Sequence, residues 1–557
     1  MRLSLSSPRF HFLVAGALAL FGSAGHADPA FSKDTLQRLL EAELYVSRGN
    51  PAAAMPDYQA AAALTQDPGV TDRALEIANF LQDSPTALPL AERMTRLKPD
   101  EPRYYYQTAF HAMKATDYEK AIQAIDRLLA LDPAAELESL FLGANPPSST
   151  GRQNLLDALP ALEKQHPDNG QLLFAHALLL GDSGKTAEGL EMVRRARALN
   201  PDGIQPILLE ARFLSAGKQL QPAMDLLRGA IDRHPDNRAL NVNYVKLMIR
   251  AERLLAAENR LEQLLATFPN DEEMLRMHGL LAYNSRHDAA ARASFEKLVM
   301  MGSNEPEAHY YLGALAKRND NLPLAESHFQ DVDDGPQFAA AQSELAVLRT
   351  DSGRLGEARQ QLAAARQSHP AAETVLYNIE ADLLNRHDQP QAALDLLEEA
   401  IRRHPDDNLL LFNRSMVLVK LNNLKRFEED MQDLLKRDPD NPVYLNAFGY
   451  TLVDMTRRYG EAESYLRRAY QMKPDDPAII DSMGWLFYRL GDISGALEYI
   501  QKAYNSSSDE EIGLHLAEVL WASKRKDDAR KVWAELIRRN PDSKAVPQQR
   551  ALIEQKP

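Results

Sequence analysis

The sequence predicts an all-α superhelical solenoid of about fifteen antiparallel helix hairpins. Three observations predict it. A proline closes an apolar-periodic segment at intervals of 34 or 35 residues over most of the chain. Fixed residue types stand at fixed distances before those prolines. The chain is also visibly rich in Ala, Leu, Glu, Gln and Arg, the strong helix formers. At 557 residues it exceeds what one core sustains, since single cores stop growing near roughly 250–300 residues; an array in which each unit touches only its neighbours fits the length.

The ladder runs Pro99, Pro133, Pro167, Pro201, Pro235 and Pro269, then Pro336, Pro370, Pro405, Pro439, Pro474 and Pro541. Pro68 begins it after a shorter step, and Ser303 and Ser508 occupy two skipped rungs. Twelve residues before most of these prolines stands a small residue, as in Ala121, Gly189, Ala358, Ala462 and Ala529. Eight before stands an apolar one (Ile125, Val193, Leu362, Leu466, Trp533), and five before an Ala or Leu (Ala196, Ala365, Ala469). Offsets of three and four put all of these on one helix face, and the small residue lets a neighbouring helix approach. Proline then stops the helix, because it lacks the N–H and clashes with the preceding turn. A second helix fills the first half of each unit, set off by turns such as Ser183-Gly184, Ala216-Gly217, Ser352-Gly353 and Leu490-Gly491. One hairpin cannot bury both faces, so neighbours must stack.

Thirty-four residues carrying Gly484-Trp485-Leu486-Phe487-Tyr488, Gly491-Asp492, Ala496, Ile500 and Ala503 resemble the tetratricopeptide repeat, from about Phe31 to Pro541. Two units depart from the pattern, with Leu155 and Phe427 at the small-residue position. The unit ending at Pro336 is irregular: its second helix loses the apolar run and ends in Asp333-Asp334-Gly335, which predicts a shortened helix. These features divide the chain into a signal peptide (1–27), an N-terminal array (28–303), an irregular repeat (304–336), a C-terminal array (337–541) and a polar tail (542–557).

The signal peptide is expected from layout. Arg2 and Arg9 stand in an acid-free start, Phe12–Phe21 is an apolar run of ten, and Gly22–Ala27 is a small-residue tail, with cleavage expected after Ala27 and Ala24 as the alternative. Ten apolar residues cannot cross a bilayer core of about 30 Å as a helix, so no integral membrane segment is predicted. There are no cysteines, which removes disulfides, thiolate metal sites, cysteine nucleophiles and a lipidated anchor together. The expected location is therefore the periplasm. The formal net charge of -15 becomes more negative once Arg2 and Arg9 are removed, and an acidic surface argues against nucleic acid as a partner.

Catalytic patterns are weak. Ser183-Gly184-Lys185-Thr186 ends like a phosphate-binding loop, but Leu179 stands where the first glycine belongs and a helix precedes it, so an inter-helix turn is predicted. His166, His234, His369 and His404 precede ladder prolines, a repeat position at helix C-termini where an imidazole meets the helix dipole. No cofactor, metal site or enzymatic activity is expected.

A partner would sit on the first helices, which line the inner surface of such a stack. Counting outward from the core positions gives Tyr450, Asp481, Trp485, Tyr488, Glu518 and Trp521 near the C-terminus, and Trp533 at a core position. Tyr104, Tyr105, Tyr106, Phe110 and Met113 form a second aromatic strip, and Arg276, Tyr283, Tyr310 and Lys317 are expected inward in the middle. Aromatic rings beside acids suit a peptide with apolar and basic groups.

The stretches Phe31–Leu36, Asp67–Ala74, Tyr444–Tyr450 and Asp481–Trp485 resemble the large proteobacterial envelope repeat proteins, among them an outer-membrane lipoprotein adaptor of a carboxyl-terminal processing protease. The resemblance implies an adaptor whose partners are other proteins, an envelope protease and its substrates. This chain departs from that lipoprotein in lacking the lipidated cysteine. The alternative is a scaffold in an exopolysaccharide export or outer-membrane assembly machine.

Overall fold

The structure, a computed structural model, describes residues 31–142 and 149–555; the expected signal peptide lies outside them. Among the described residues there is no strand, and helices follow one another in fifteen pairs, from Lys33–Ser47 with Pro51–Leu64 to Glu510–Ala522 with Lys526–Arg539. The chain forms two compact units, one ending at Met274 and the other beginning at Leu275. No helix among the described residues is long and apolar enough to cross a membrane.

Each ladder proline acts through the residue before it. Lys98, Asn200, His234, Asp438 and Lys473 hold φ from -131 to -138° and ψ from 65 to 82°, outside the helical region that the following proline ring disfavours. Two residues beyond the proline, Asn237, Asp407, Asn441 and Asp476 cap the next helix, their side chains accepting from its first free N–H groups. Proline thus stops one helix and the Asp or Asn two positions later starts the next.

The turn inside each pair needs one residue at positive φ. Glycine supplies it at Gly49, Gly184, Gly353 and Gly491, with φ of 75 to 88°. Gln82, Thr116, Lys218 and Glu252 supply it without glycine, at φ of 58 to 60°. In the Ala216-Gly217 turn the glycine is not the left-handed residue: Gly217 has φ -78° and the next residue, Lys218, takes φ 59°.

The two helices of a pair are buried unequally. Pro442–Met455 packs on its own second helix Tyr459–Met472, on Leu424–Arg437 before it and on the first helix Pro477–Leu490 after it. First helices are therefore covered on more sides. Pro477–Leu490 buries eight residues, whereas Tyr459–Met472 buries three, Ala462, Leu466 and Ala469. Those three are the positions twelve, eight and five before Pro474. The same triplet recurs as Gly189, Val193, Ala196 and as Ala358, Leu362, Ala365. Leu155 and Phe427, the oversized members of the series, are also fully buried.

Three places depart from the regular pair. The fourth opens with a five-residue helix, Glu138–Leu142. The second helix ahead of Pro336, Leu322–Gln330, has nine residues where most second helices have fourteen, and Gly335 follows it at φ 81°. The residues after Pro541, read above as a polar tail, include the helix Ala545–Glu554. It buries Val546 and Ile553, and its Gln549 accepts from the Trp533 indole at 2.8 Å, so it covers the exposed side of the pair before it.

Candidate functional site: an acid-lined cavity on the last first helices

Successive first helices of the second unit present the same face, and four of them line an open cavity of about 490 Å³. Met416 and Val419 come from Asn408–Lys420, and Asn446 and Tyr450 from Pro442–Met455. Asp476 and Asp481 come from the start of Pro477–Leu490, and Asp509 and Glu511 from the start of Glu510–Ala522. Four carboxylates line this cavity and no lysine or arginine does. Asp476 and Asp509 are occupied as helix caps, which leaves Asp481 and Glu511 as the acids not committed to backbone.

Behind the cavity wall runs a polar network that joins three repeats. The His515 imidazole bonds Asp481 Oδ2 through Nδ1 at 2.7 Å, and its Nε2 lies 3.2 Å from the Tyr450 hydroxyl. That hydroxyl donates to Glu511 Oε1 at 2.7 Å. The Trp485 ring stacks on His515 at 4.1 Å, and its Nε1 donates to Asp454 at 3.2 Å. Tyr488 lies 5.0 Å from Trp485 and donates to Glu518 at 3.3 Å. Burial alone would lower the His515 value, but Asp481, then Glu511 and Asp454, outweigh it and hold it above the ordinary histidine value. Burial and then Glu518 push the Tyr488 phenol up to about 12.

Two acceptors in the cavity wall are left over: Asp481 Oδ1 and Asn446 Oδ1 are buried and have no hydrogen-bond partner. A buried acceptor left unpaired costs about 1–3 kcal/mol, so an arriving donor gains by meeting it. With four carboxylates, no lysine or arginine in the lining and Asp481 Oδ1 unpaired beside the Asp481–His515 bond, the wall suits an ammonium or guanidinium group.

The residues picked out by sequence separate into two kinds. Tyr450 and Asp481 line the cavity. Trp485 and Trp521, 6% and 8% exposed, are covered instead, Trp485 by His515 of the next repeat and Trp521 by its own second helix Lys526–Arg539. Trp521 packs against Trp533 at 5.7 Å, with Lys526 4.6 Å over its ring. Tyr488 and Glu518 are half-buried and bond each other. Toward the N-terminus, Tyr104 is fully buried, while Tyr105, Tyr106, Phe110 and Met113 are half-buried against a core cluster, with Lys114 4.8 Å above the Phe110 ring. In the middle, Tyr283 packs edge-on to Tyr311 under the Arg318 guanidinium, and Tyr310 meets Phe329 at 5.9 Å. Arg276 pairs with Glu307 and Lys317 with Glu344, each about one repeat on. Arg276 and Lys317 thus bond the next first helix.

His515, Glu511, Asp454 and Asn446 were not among the residues singled out by sequence. His515 was findable, because it stands 34 residues after Asp481 and so occupies the same repeat position one unit later. Asn378 and Asn413 bond each other at 2.6 Å across 35 residues in the same way. The Ser183–Thr186 segment is a turn between two helices, as its spacing predicted. Of the histidines before prolines, His166 pairs with Asp126 and His404 with Glu373, while His369 packs on Phe338.

Stacked pairs of about 34 residues, with small residues at the crossing and proline at the exit, define a tetratricopeptide-repeat protein, a class that holds other proteins. Three models of the tetratricopeptide repeat match residues 214–281, 380–442 and 512–543. The chain belongs to this family: it is 35% identical over 489 residues to the TPR repeat-containing protein PA4667 of Pseudomonas aeruginosa, covering 88% of this chain and 83% of that one. It is also 23% identical over 463 residues to cellulose synthase operon protein C of Pseudomonas fluorescens, 75% of this chain and 35% of that protein. Among solved structures, yeast Tom70 aligns over 91% of this chain and 98% of its own at 15% identity, with a TM-score of 0.37.

Proposed function

We propose that this chain is an exported adaptor of the bacterial envelope that docks a partner polypeptide on the first helices of its last four repeats and presents substrates to a carboxyl-terminal processing protease. The observation that carries the docking part is the cavity at Asp481. It combines an unpaired buried acceptor at Asp481 Oδ1, a second carboxylate at Glu511 that is not used as a helix cap, and a lining without lysine or arginine. A lysine, arginine or terminal amine of the partner meets both the charge and the missing hydrogen bond. The protease role rests on the resemblance of Tyr444–Tyr450 and Asp481–Trp485 to an envelope adaptor, and export rests on the layout of Met1–Ala27. An adaptor of this kind works by raising the effective concentration of substrate at the enzyme.

The test is a photo-reactive residue at Ala478, an exposed position of the cavity wall, crosslinked in cells and identified by mass spectrometry. A crosslinked protease or protease substrate, lost in Asp481→Asn, is the expected result. Recovery of no protease and no substrate of one would end the adaptor reading. An intact Met1 on the mature protein would end the export reading. The match to a cellulose synthase operon protein favours one second reading, a scaffold in an exopolysaccharide export machine. That reading expects an outer-membrane porin or a synthase in the same experiment, with secretion abolished and no change in proteolysis.

A further inference from the structure

The irregular repeat ahead of Pro336 brings together three metal-ligating side chains. His309 lies on the first helix Glu305–Arg318, His328 in the last turn of the shortened helix Leu322–Gln330, and Asp331 is the residue that caps that helix. One ligand atom from each falls within 4.8 Å of the other two. The Nδ1 atoms of His309 and His328 are 3.1 Å apart, and His309 Nδ1 is 3.7 Å from Asp331 Oδ2. It is the one such grouping among the described residues.

We propose that His309, His328 and Asp331 form a binding site for a divalent transition-metal ion of the zinc class. Two imidazole nitrogens and one carboxylate oxygen make a donor set suited to zinc, and harder cations such as Mg²⁺ take oxygen instead. Tetrahedral bonds of about 2.0–2.1 Å place neighbouring donor atoms roughly 3.3 Å apart. The two separations in the structure, 3.1 and 3.7 Å, fall on either side of that edge. Three donors from the chain leave the fourth position to water, and Asp331, whose side chain is 55% exposed, leaves the site open to solvent.

The scaffold fixes the donors before any ion arrives. Phe329, next to His328, is fully buried and packs so tightly on the first helix that a Cβ on Gly313 would stand 2.8 Å from its ring. Tyr310, next to His309, meets the same Phe329 ring at 5.9 Å. The contact Tyr310–Phe329 packs together the two helices that carry the adjacent histidines. His328 and Asp331, three apart at a helix end, fall on one side of it. Of the charged groups acting on His328 from the preceding helix Asp288–Met300, Glu296 favours a cation and Arg292 opposes it. An ion here would clip the nine-residue helix to its partner where five residues of the usual second helix are missing.

The inference is independent of the docking reading, since the three residues lie outside the cavity at Asp481. Its test uses the untagged full chain, freed of metal by a chelator and titrated with Zn²⁺ in a calorimeter and with Co²⁺ by visible absorption. Expected are one saturable Zn²⁺ equivalent and the d–d bands of four-coordinate Co²⁺, with no binding of Mg²⁺. His309→Ala should abolish both signals, and Asp331→Asn, at an exposed position that leaves the fold intact, should weaken Zn²⁺ binding by about tenfold or more. Zn²⁺ should also slow amide exchange in 305–331 of the parent and not in the variants. Absence of saturable binding, or a stoichiometry and spectrum unchanged in His309→Ala and Asp331→Asn, would overturn the proposal and leave only an imidazole–imidazole hydrogen bond.

Discussion

His111 and His515 are both buried imidazoles, and their neighbours give them opposite responses to pH. His111 bonds Ser84 at 3.1 Å and Asn79 at 2.7 Å, both neutral, and burial followed by repulsion from Lys114 lowers its value to about 4. The unfolded chain, at about 6.5, then binds more protons than the folded one between pH 6.5 and 4. Stability around Pro102–Lys114 should fall as pH drops through that window, by up to about 3 kcal/mol, and level off below it. Amide exchange of this helix against pH reads the effect, and His111→Gln should flatten it. His515 is raised above its ordinary value by Asp481 despite its burial. Its contribution is complete below pH 6.5 and is lost as pH climbs through the raised value, so Glu510–Ala522 should lose protection on the alkaline side. A slope that survives in His515→Gln would contradict this assignment. Sequence placed Asp481 and Trp485 together on one first helix, because repeat counting is geometry. It did not show that Trp485 is covered, because stacking on His515 depends on a side chain one repeat away.

An element in this fold is specified twice, by its caps and by the clearance at its crossing. Gly484 lies where a first helix crosses its own second helix, and a Cβ there would stand 3.0 Å from the Ile500 backbone nitrogen. Backbone cannot yield as a side chain can, so Gly484→Ala should destabilise the Pro477–Leu490 and Ile493–Ser506 pair by about 1–3 kcal/mol. Faster exchange confined to this pair and its neighbours is the readout. Thr116 presents the reverse case: exposed, β-branched and at φ 60° in an inter-helix turn where other repeats use glycine. The left-handed conformation costs an L-residue about 1–2 kcal/mol, and glycine's greater freedom in the unfolded chain returns part of that. Thr116→Gly should therefore stabilise its repeat by about 0.5 kcal/mol, measured as a rise in the denaturant midpoint of that region. Most elements were legible in the sequence because proline, capping Asp or Asn, and the small-apolar-Ala triplet act locally. The five-residue helix Glu138–Leu142 and the capping helix after Pro541 were not, since each lacks the triplet.

At the scale of the molecule, stability in a stack is close to a sum of repeat terms and nearest-neighbour interfaces, so an end is the weakest place and needs a cover. Ala545–Glu554 covers the pair Glu510–Ala522 and Lys526–Arg539 in this way. It buries Val546 and Ile553, takes the Trp533 indole hydrogen bond on Gln549, and returns the Gln549 amide to the Leu514 carbonyl at 3.0 Å. Ser543 ties the approach to Glu510 at 2.9 Å. Truncation after Asn540 removes all of these and leaves the Trp533 indole, 1% exposed in the whole chain, open on one side. The last pair, Glu510–Ala522 with Lys526–Arg539, should then lose most of its exchange protection, while Asn408–Lys420 and Leu424–Arg437 keep theirs. Because Glu511 and His515 belong to that last pair, the truncation should also release Tyr450 and Asp481 from their partners and abolish crosslinking from the cavity wall. Uniform loss of protection through the second unit would show instead that the unit melts as one cooperative block. Unchanged crosslinking with the last pair unfolded would show that the partner needs only the repeats before it.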